Sequence, residues 1–180
     1  MAVQYYVASS LDGFIADADN KLDWLLQFGM EPYQQHYEAF LSKVGAIVMG
    51  SRTYEFVLGE GEDAWPYREL PTWVVTSRDL PGIPGADIRF ASGDVGDVVQ
   101  DAREAAGDRN VWIVGGGSVA AQAADLELVD EFLVTVMPIV LGAGAPLLPL
   151  SKPTRPLALI GHTLFESGAM ELAYSYHAAG

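Results

Sequence analysis

Residues 111–122 read VWIVGGGSVAAQ. Four apolar residues with no polar alternation fit a strand covered on both faces of a parallel sheet. Three glycines and Ser118 then punctuate the run, and the alanine-rich continuation over 119–124 predicts a helix. The same order recurs upstream, where residues 46–56 read AIVMGSRTYEF. That run ends at Gly50, and Ser51, Arg52 and Thr53 open a second helix to about residue 58. A third apolar run, TWVV at 72–75, ends on Thr76, Ser77 and Arg78. Strands that hand over directly to helices make parallel βα units, so the fold class is α/β.

Working outward, the candidate strands are 3–8, 46–49, 72–76, 88–90, 111–114, 131–138, 157–165 and 170–177. The last has period two: Met170, Leu172, Tyr174 and Tyr176 alternate with Glu171, Ala173, Ser175 and His177. Ser167-Gly168 before it is a turn signal. The final two strands therefore read as an antiparallel hairpin at a sheet edge. Tyr33, His36, Tyr37 and Phe40 share one helical stripe. Val95, Val98, Val99, Ala102 and Ala106 form another, with Asp94 placed to cap it. The Pro/Gly-rich stretches 81–85 and 142–149 are too short for linkers. One domain over 1–180 is expected.

The chain has 180 residues, 10 basic and 24 acidic, for a formal net charge of −14. That balance argues against a nucleic-acid or anionic-membrane partner, which needs a basic face. No apolar run reaches the roughly 18 residues of a membrane span. With no cysteine, disulfides, zinc-thiolate sites and thiol nucleophiles are excluded. No HExxH or spaced acid cluster suggests a metal. Ser9 and Ser10 lack the strand-turn-helix context of a hydrolase nucleophile. A cytoplasmic, soluble protein with a small-molecule partner is expected.

The strand ends carry the chemistry. Unpaired N–H groups at a helix start attract phosphate, and glycine lets backbone approach it closely. Arg52 adds a planar phosphate donor. Two of the seven arginines stand directly beyond strand C-terminal ends, the edge where open α/β sheets bind ligands. Together the three ends span a dinucleotide, and arginine near the adenosine favours NADPH over NADH. Taken alone, residues 115–120 fit G-x-G-x-x-A but equally a tight turn. The ribose-binding acid expected about 20 residues on is missing, because position 135 is threonine.

Residues 8–16 (ASSLDGFIA), 49–53 (MGSRT), 75–78 (VTSR), 113–118 (IVGGGS) and 138–144 (PIVLGAG) extend the pattern over nearly the whole chain. In this order they resemble the dihydrofolate reductase-like superfamily. More closely they resemble its branch related to the reductase domain of riboflavin biosynthesis, the RibD C-terminal-like branch. The resemblance implies a three-layer sandwich on a mixed, mainly parallel eight-stranded sheet, and NADPH-dependent reduction. It implies that Gly50, Ser51, Arg52, Thr53, Thr76, Ser77 and Arg78 hold the adenosine phosphate half. Gly115, Gly116, Gly117, Ser118 and Val119 would hold the pyrophosphate, and Ala8 and Ile15 would lie near the nicotinamide. Relatives are commonly dimers, so a homodimer is expected, with the apolar segment 132–148 as a candidate surface.

The departures bear on substrate. Where dihydrofolate reductases carry a pterin-binding carboxylate, this chain has Gln34, with Glu38 one turn on. Gly115-Gly116-Gly117 replaces the Glu-Gly-Gly usual in riboflavin-pathway reductases. Phe56-Val57-Leu58 lacks their acid and proline. Both pathway substrates are therefore disfavoured, and a pterin-, flavin-precursor- or related heterocycle is expected. Asp12 is the candidate catalytic carboxylate, although Asp-Gly is also a turn former. Trp24, Tyr33, Gln34, Tyr37 and Glu38 are candidate substrate contacts. His36 shares the Tyr33–Tyr37 stripe and reads as structural, and Trp65-Pro66-Tyr67 is a candidate cleft flank. The alternative is a nucleotide-binding module without turnover.

Overall fold

Apolar runs without polar alternation need cover on both faces, and the structure supplies it. The computed structural model describes residues 1–59, 61 and 65–176. In chain order the first elements are β1 (Val3–Ser10), β2 (Phe14–Ala16), α1 (Asp23–Leu26), α2 (Gln34–Leu41), β3 (Val44–Gly50), α3 (Ser51–Gly59) and β4 (Thr72–Val75). Then follow β5 (Ile88–Ala91), α4 (Val95–Ala106), β6 (Asn110–Gly115), α5 (Gly117–Asp125), β7 (Glu131–Met137), β8 (Ala145–Pro146), β9 (Ala158–Leu164) and β10 (Met170–Ser175).

Eight strands form one sheet in the order β5-β4-β3-β6-β1-β7-β10-β9. The six from β5 to β7 pair in parallel. β10 runs antiparallel to both β7 and β9. These are the eight strands read from the sequence, with the expected C-terminal hairpin at one edge. His177, the last residue of that reading, lies outside the described residues.

The strands' two faces bury against different helices. On one face Val3, Tyr5, Val48, Val111 and Ile113 meet Val98, Val99 and Ala102 of α4 and Ala120 and Ala123 of α5. On the other, Val44, Ile47, Met49 and Trp112 meet Phe40 of α2 and Tyr54 of α3. Each fully buried Val or Ile contributes about 1.5–3 kcal/mol relative to exposure. Asp94 caps α4 as expected, its carboxylate accepting from Gly96 N at 2.6 Å.

Two features have no counterpart in the sequence reading. α1 is only four residues long, and β2 pairs with β8 in a separate two-stranded ribbon. Within 132–148, Phe132, Leu133 and Met137 are core residues while Val140 is exposed. No helix among the described residues is long and apolar enough to cross a membrane.

Candidate functional site

A cleft of about 850 Å³ opens at the C-terminal edge of the parallel strands. Ala8 of β1, Gly50 of β3, Val75 of β4, Gly115 of β6 and Met137 of β7 all reach it. The volume is toward the upper end for a small-molecule site. Its residues fall into a glycine-rich part and an aromatic part.

The glycine-rich part joins the two turns read from the sequence. Gly50, Ser51, Arg52 and Thr53 line it with Gly115, Gly116, Gly117, Ser118 and Val119. Gly116 has φ +81° and caps α5 in the left-handed region, where a side chain is strained. A Cβ on Gly115 would stand 2.8 Å from Thr53 Oγ1. One on Gly117 would press on the carbonyl oxygens of Pro146 and Leu147. The glycines thus let three backbone segments converge, and they set the starts of α3 and α5 side by side. The first N–H groups of a helix have no partner within it, so both starts present donors to the cleft.

Arg52 lines this part and has no hydrogen-bond or ion-pair partner among the described residues. Arg78 differs. Its guanidinium donates to both oxygens of Glu55, at 2.9 and 2.7 Å. The hydrogen bond from Arg78 holds the Glu55 carboxyl below its usual range, with Arg52's charge adding a smaller push. Thr76 Oγ1 accepts from Arg78 N at 3.0 Å. Thr76, Ser77 and Arg78 do not line the cleft. They nonetheless stand beside the residue 50–53 turn with which the sequence grouped them, since Val75 pairs with Gly50 in register and Arg78 reaches Glu55 of α3.

Over the glycine turns lies the β2–β8 ribbon, which brings Ile15, Ala16, Ala145 and Pro146 to the cleft. Asp12 secures it from outside. Its carboxylate accepts from Ser10 Oγ at 2.6 Å, Leu141 N at 3.1 Å and Gly142 N at 2.7 Å. These bonds, Ser10's first, pull its pKa down to about 2. Asp12 is exposed and does not line the cleft. The turn-forming reading describes its place, and the catalytic expectation does not: a carboxylate with three donors outside the cleft has no reach to a ligand inside it.

The aromatic part holds Tyr6, Tyr33, Tyr37, Tyr67 and Trp112, with Leu25 and Met30 beside them. The Trp112 ring stands 5.6–6.0 Å from the rings of Tyr67, Tyr37 and Tyr6. Its indole N–H donates to Tyr6 O at 3.0 Å. Tyr37 OH donates to Tyr67 OH at 3.4 Å, and Tyr33 OH pairs with Ser167 Oγ at 2.6 Å. Burial pushes the phenols of Tyr6, Tyr37 and Tyr67 up, and the Glu171 charge adds to the effect on Tyr6. They are neutral donors at any physiological pH.

Three sequence candidates lie elsewhere. Trp24 is buried with Met137, Phe165 and Ala169 behind the cleft wall, because α1 turns that side inward. Gln34 and Glu38, one turn apart, bond to each other at 2.8 Å on the exposed side of α2, about 100° round the helix from Tyr33 and Tyr37. His36 is structural as read: its Nε2 stands 2.9 Å from both oxygens of Glu171, a buried acid on β10. Neither lines the cleft. Tyr67 bears out the reading of 65–67 as a cleft flank. Tyr6, Trp112 and Thr135, which also line the cleft, were not singled out as site residues, being one face of otherwise ordinary strands.

A family model described as the RibD C-terminal domain matches residues 61–170. The uncharacterized protein YwjB of Bacillus subtilis (strain 168) is 32% identical over 142 residues, 79% of each chain. A crystal structure of a Shewanella sp. PV-4 protein named for riboflavin biosynthesis superposes with a TM-score of 0.83 at 29% identity, covering 97% of this chain and 98% of that one. Enterococcus faecalis dihydrofolate reductase, complexed with NADP(H) and RAB-propyl, superposes with a TM-score of 0.63 at 14% identity. That superposition covers 97% of this chain and 95% of the reductase, and it shows the fold alone.

Proposed function

Since the chain belongs to the RibD C-terminal domain family, we propose that it is an NADPH-dependent reductase acting on a small heterocyclic substrate. One observation carries the reading. Two helix starts and an unpartnered arginine converge on one cleft that continues into an aromatic compartment. In a chain of net charge −14, an anionic dinucleotide needs such a local concentration of donors. The glycine turns and Arg52 fit its phosphates. The NADP(H) complex of the dihydrofolate reductase, on the same fold, supports the choice of cofactor.

Bound there, a dihydronicotinamide would supply a hydride to a ring carbon of the acceptor, whose neighbouring heteroatom would take up a proton. The chain's own work is positional. Residues 50–53 and 115–119 fix the phosphates. The β2–β8 ribbon covers them and excludes water. The tyrosines and Trp112 flank the acceptor ring.

Arg52→Ala tests this. A charge-assisted hydrogen bond contributes about 1.5–3 kcal/mol, so NADPH affinity should fall roughly tenfold to a hundredfold. NADH, without the extra phosphate, should lose less. Equal, unchanged affinities would remove the phosphate reading. A binding module without turnover is the second reading, favoured by the lack of a carboxylate or histidine on the cleft wall among the described residues. NADPH consumption with any ring acceptor would exclude it.

A further inference from the structure

The cleft's charge inventory restricts what the aromatic part can hold. Among the described residues Arg52 is the one charged side chain on the wall; no lysine, histidine, aspartate or glutamate lines it. On the reductase reading, on which this inference rests, the dinucleotide phosphates occupy Arg52 and both helix starts. No cation then remains for a second phosphorylated ligand. Arg78 is bound to Glu55. Lys21 sits between the rim residues Asn20 and Leu22 without lining the cleft. An anion entering this part would lose its hydration with no counter-charge in return. What the wall does offer is apolar ring surface and neutral hydroxyls from the half-buried Tyr6 and Tyr37, backed by the buried Tyr67 and Trp112.

We infer that the substrate is a planar ring compound bearing no phosphate or other anionic group, held by the Tyr6–Tyr37–Tyr67–Trp112 cage. This makes the site chemically distinct from one that reduces a phosphorylated sugar conjugate.

Matched pairs of probes test it: uridine, pyridoxine and riboflavin, each against its own 5′-phosphate. Binding is read by tryptophan quenching or ligand polarisation, with NADP⁺ in excess so that Arg52 is engaged and no turnover occurs. At least one uncharged member should bind about tenfold or more tighter than its phosphate, with little dependence on salt. Met30→Lys, which adds a cation at an exposed position of the same wall, should narrow that ratio by at least about threefold. Tighter binding of the phosphorylated members, weakening with salt, would overturn the inference. So would binding of none of the six, or a ratio that Met30→Lys leaves unmoved. Dinucleotide binding, titrated separately on the same samples, judges the reductase reading by itself. If it fails while the unphosphorylated ring is still preferred, that reading falls and the cage's preference for unphosphorylated rings stands.

Discussion

Gly117→Ala asks whether the third glycine of the turn serves packing. The new Cβ would press on the carbonyl oxygens of Pro146 and Leu147, the latter at 2.9 Å. Both obstacles are backbone, so neither yields by a rotamer change. Overpacking of this kind costs about 1–3 kcal/mol. For a chain of this length each kcal/mol lowers Tm by about 2–4 °C, so a fall of about 2–12 °C is expected. The Leu147 carbonyl also accepts from the buried Tyr5 hydroxyl at 2.9 Å. Tyr5→Phe alone removes that bond and costs about 1 kcal/mol. If the added methyl displaces Leu147, it breaks the Tyr5 bond as well. The double variant should then cost about 1 kcal/mol less than the sum of the singles. Thermal or urea unfolding of the four proteins measures the cycle, and NADPH titration reports whether the displaced ribbon carries the phosphate site with it. Additivity within about 0.5 kcal/mol, or an unperturbed Gly117→Ala protein, would refute the convergence argument.

Other outcomes follow from other contacts. The Asp12 carboxyl, at about 2 when folded and near its ordinary 3.8 when unfolded, is protonated more readily in the unfolded chain. Its contribution is present above the ordinary value and is lost as pH falls through about 2. Melting curves between pH 2 and 6 should therefore show a steeper acid loss in the parent than in Asp12→Asn; parallel curves would sink the clamp. His36→Leu leaves the Glu171 carboxylate buried without its partner and should cost about 1–3 kcal/mol at neutral pH, discounted for the partial exposure of His36. Adding Glu171→Met should recover most of it, and urea midpoints of the three proteins decide. Trp112→Phe loses the bond to Tyr6 O and part of four ring contacts, costing about 2 kcal/mol. It should also abolish most ligand-dependent quenching; retained quenching would place the ligand elsewhere.

The strands β3, β4 and β6 were legible because each holds a short apolar run closed by glycine or a hydroxyl residue. Gly50 and Gly115 were legible for the same reason. Residues whose role depends on a distant partner were not. Arg78 looks free until Glu55, 23 positions away, is seen to occupy it. Asp12 looks catalytic until the N–H groups of Leu141 and Gly142 arrive from the far end of the chain. Glu171 falls on the polar side of a period-two strand, yet α2 covers that side and buries it. Tyr6 and Trp112 carry no local sign that their face opens onto a cleft, because the opening is made by where α1, α2 and the ribbon sit. The ribbon itself, three residues against two, is too short to show any periodicity.

The placement of β1 has a consequence for how this protein comes to be folded. It is made before the other strands of this sheet, yet it occupies an interior place in it, between β6 and β7. Val3 pairs with Val111 and Gln4 with Glu131. At typical synthesis rates of roughly 5–20 residues per second, β1 waits on the order of ten seconds for its neighbours. Throughout that interval an apolar strand has both hydrogen-bonding edges open. Such non-local pairing folds slowly and aggregates readily. Substitutions that make β1 stickier should therefore reduce the yield of soluble protein well before they change the stability of the finished molecule.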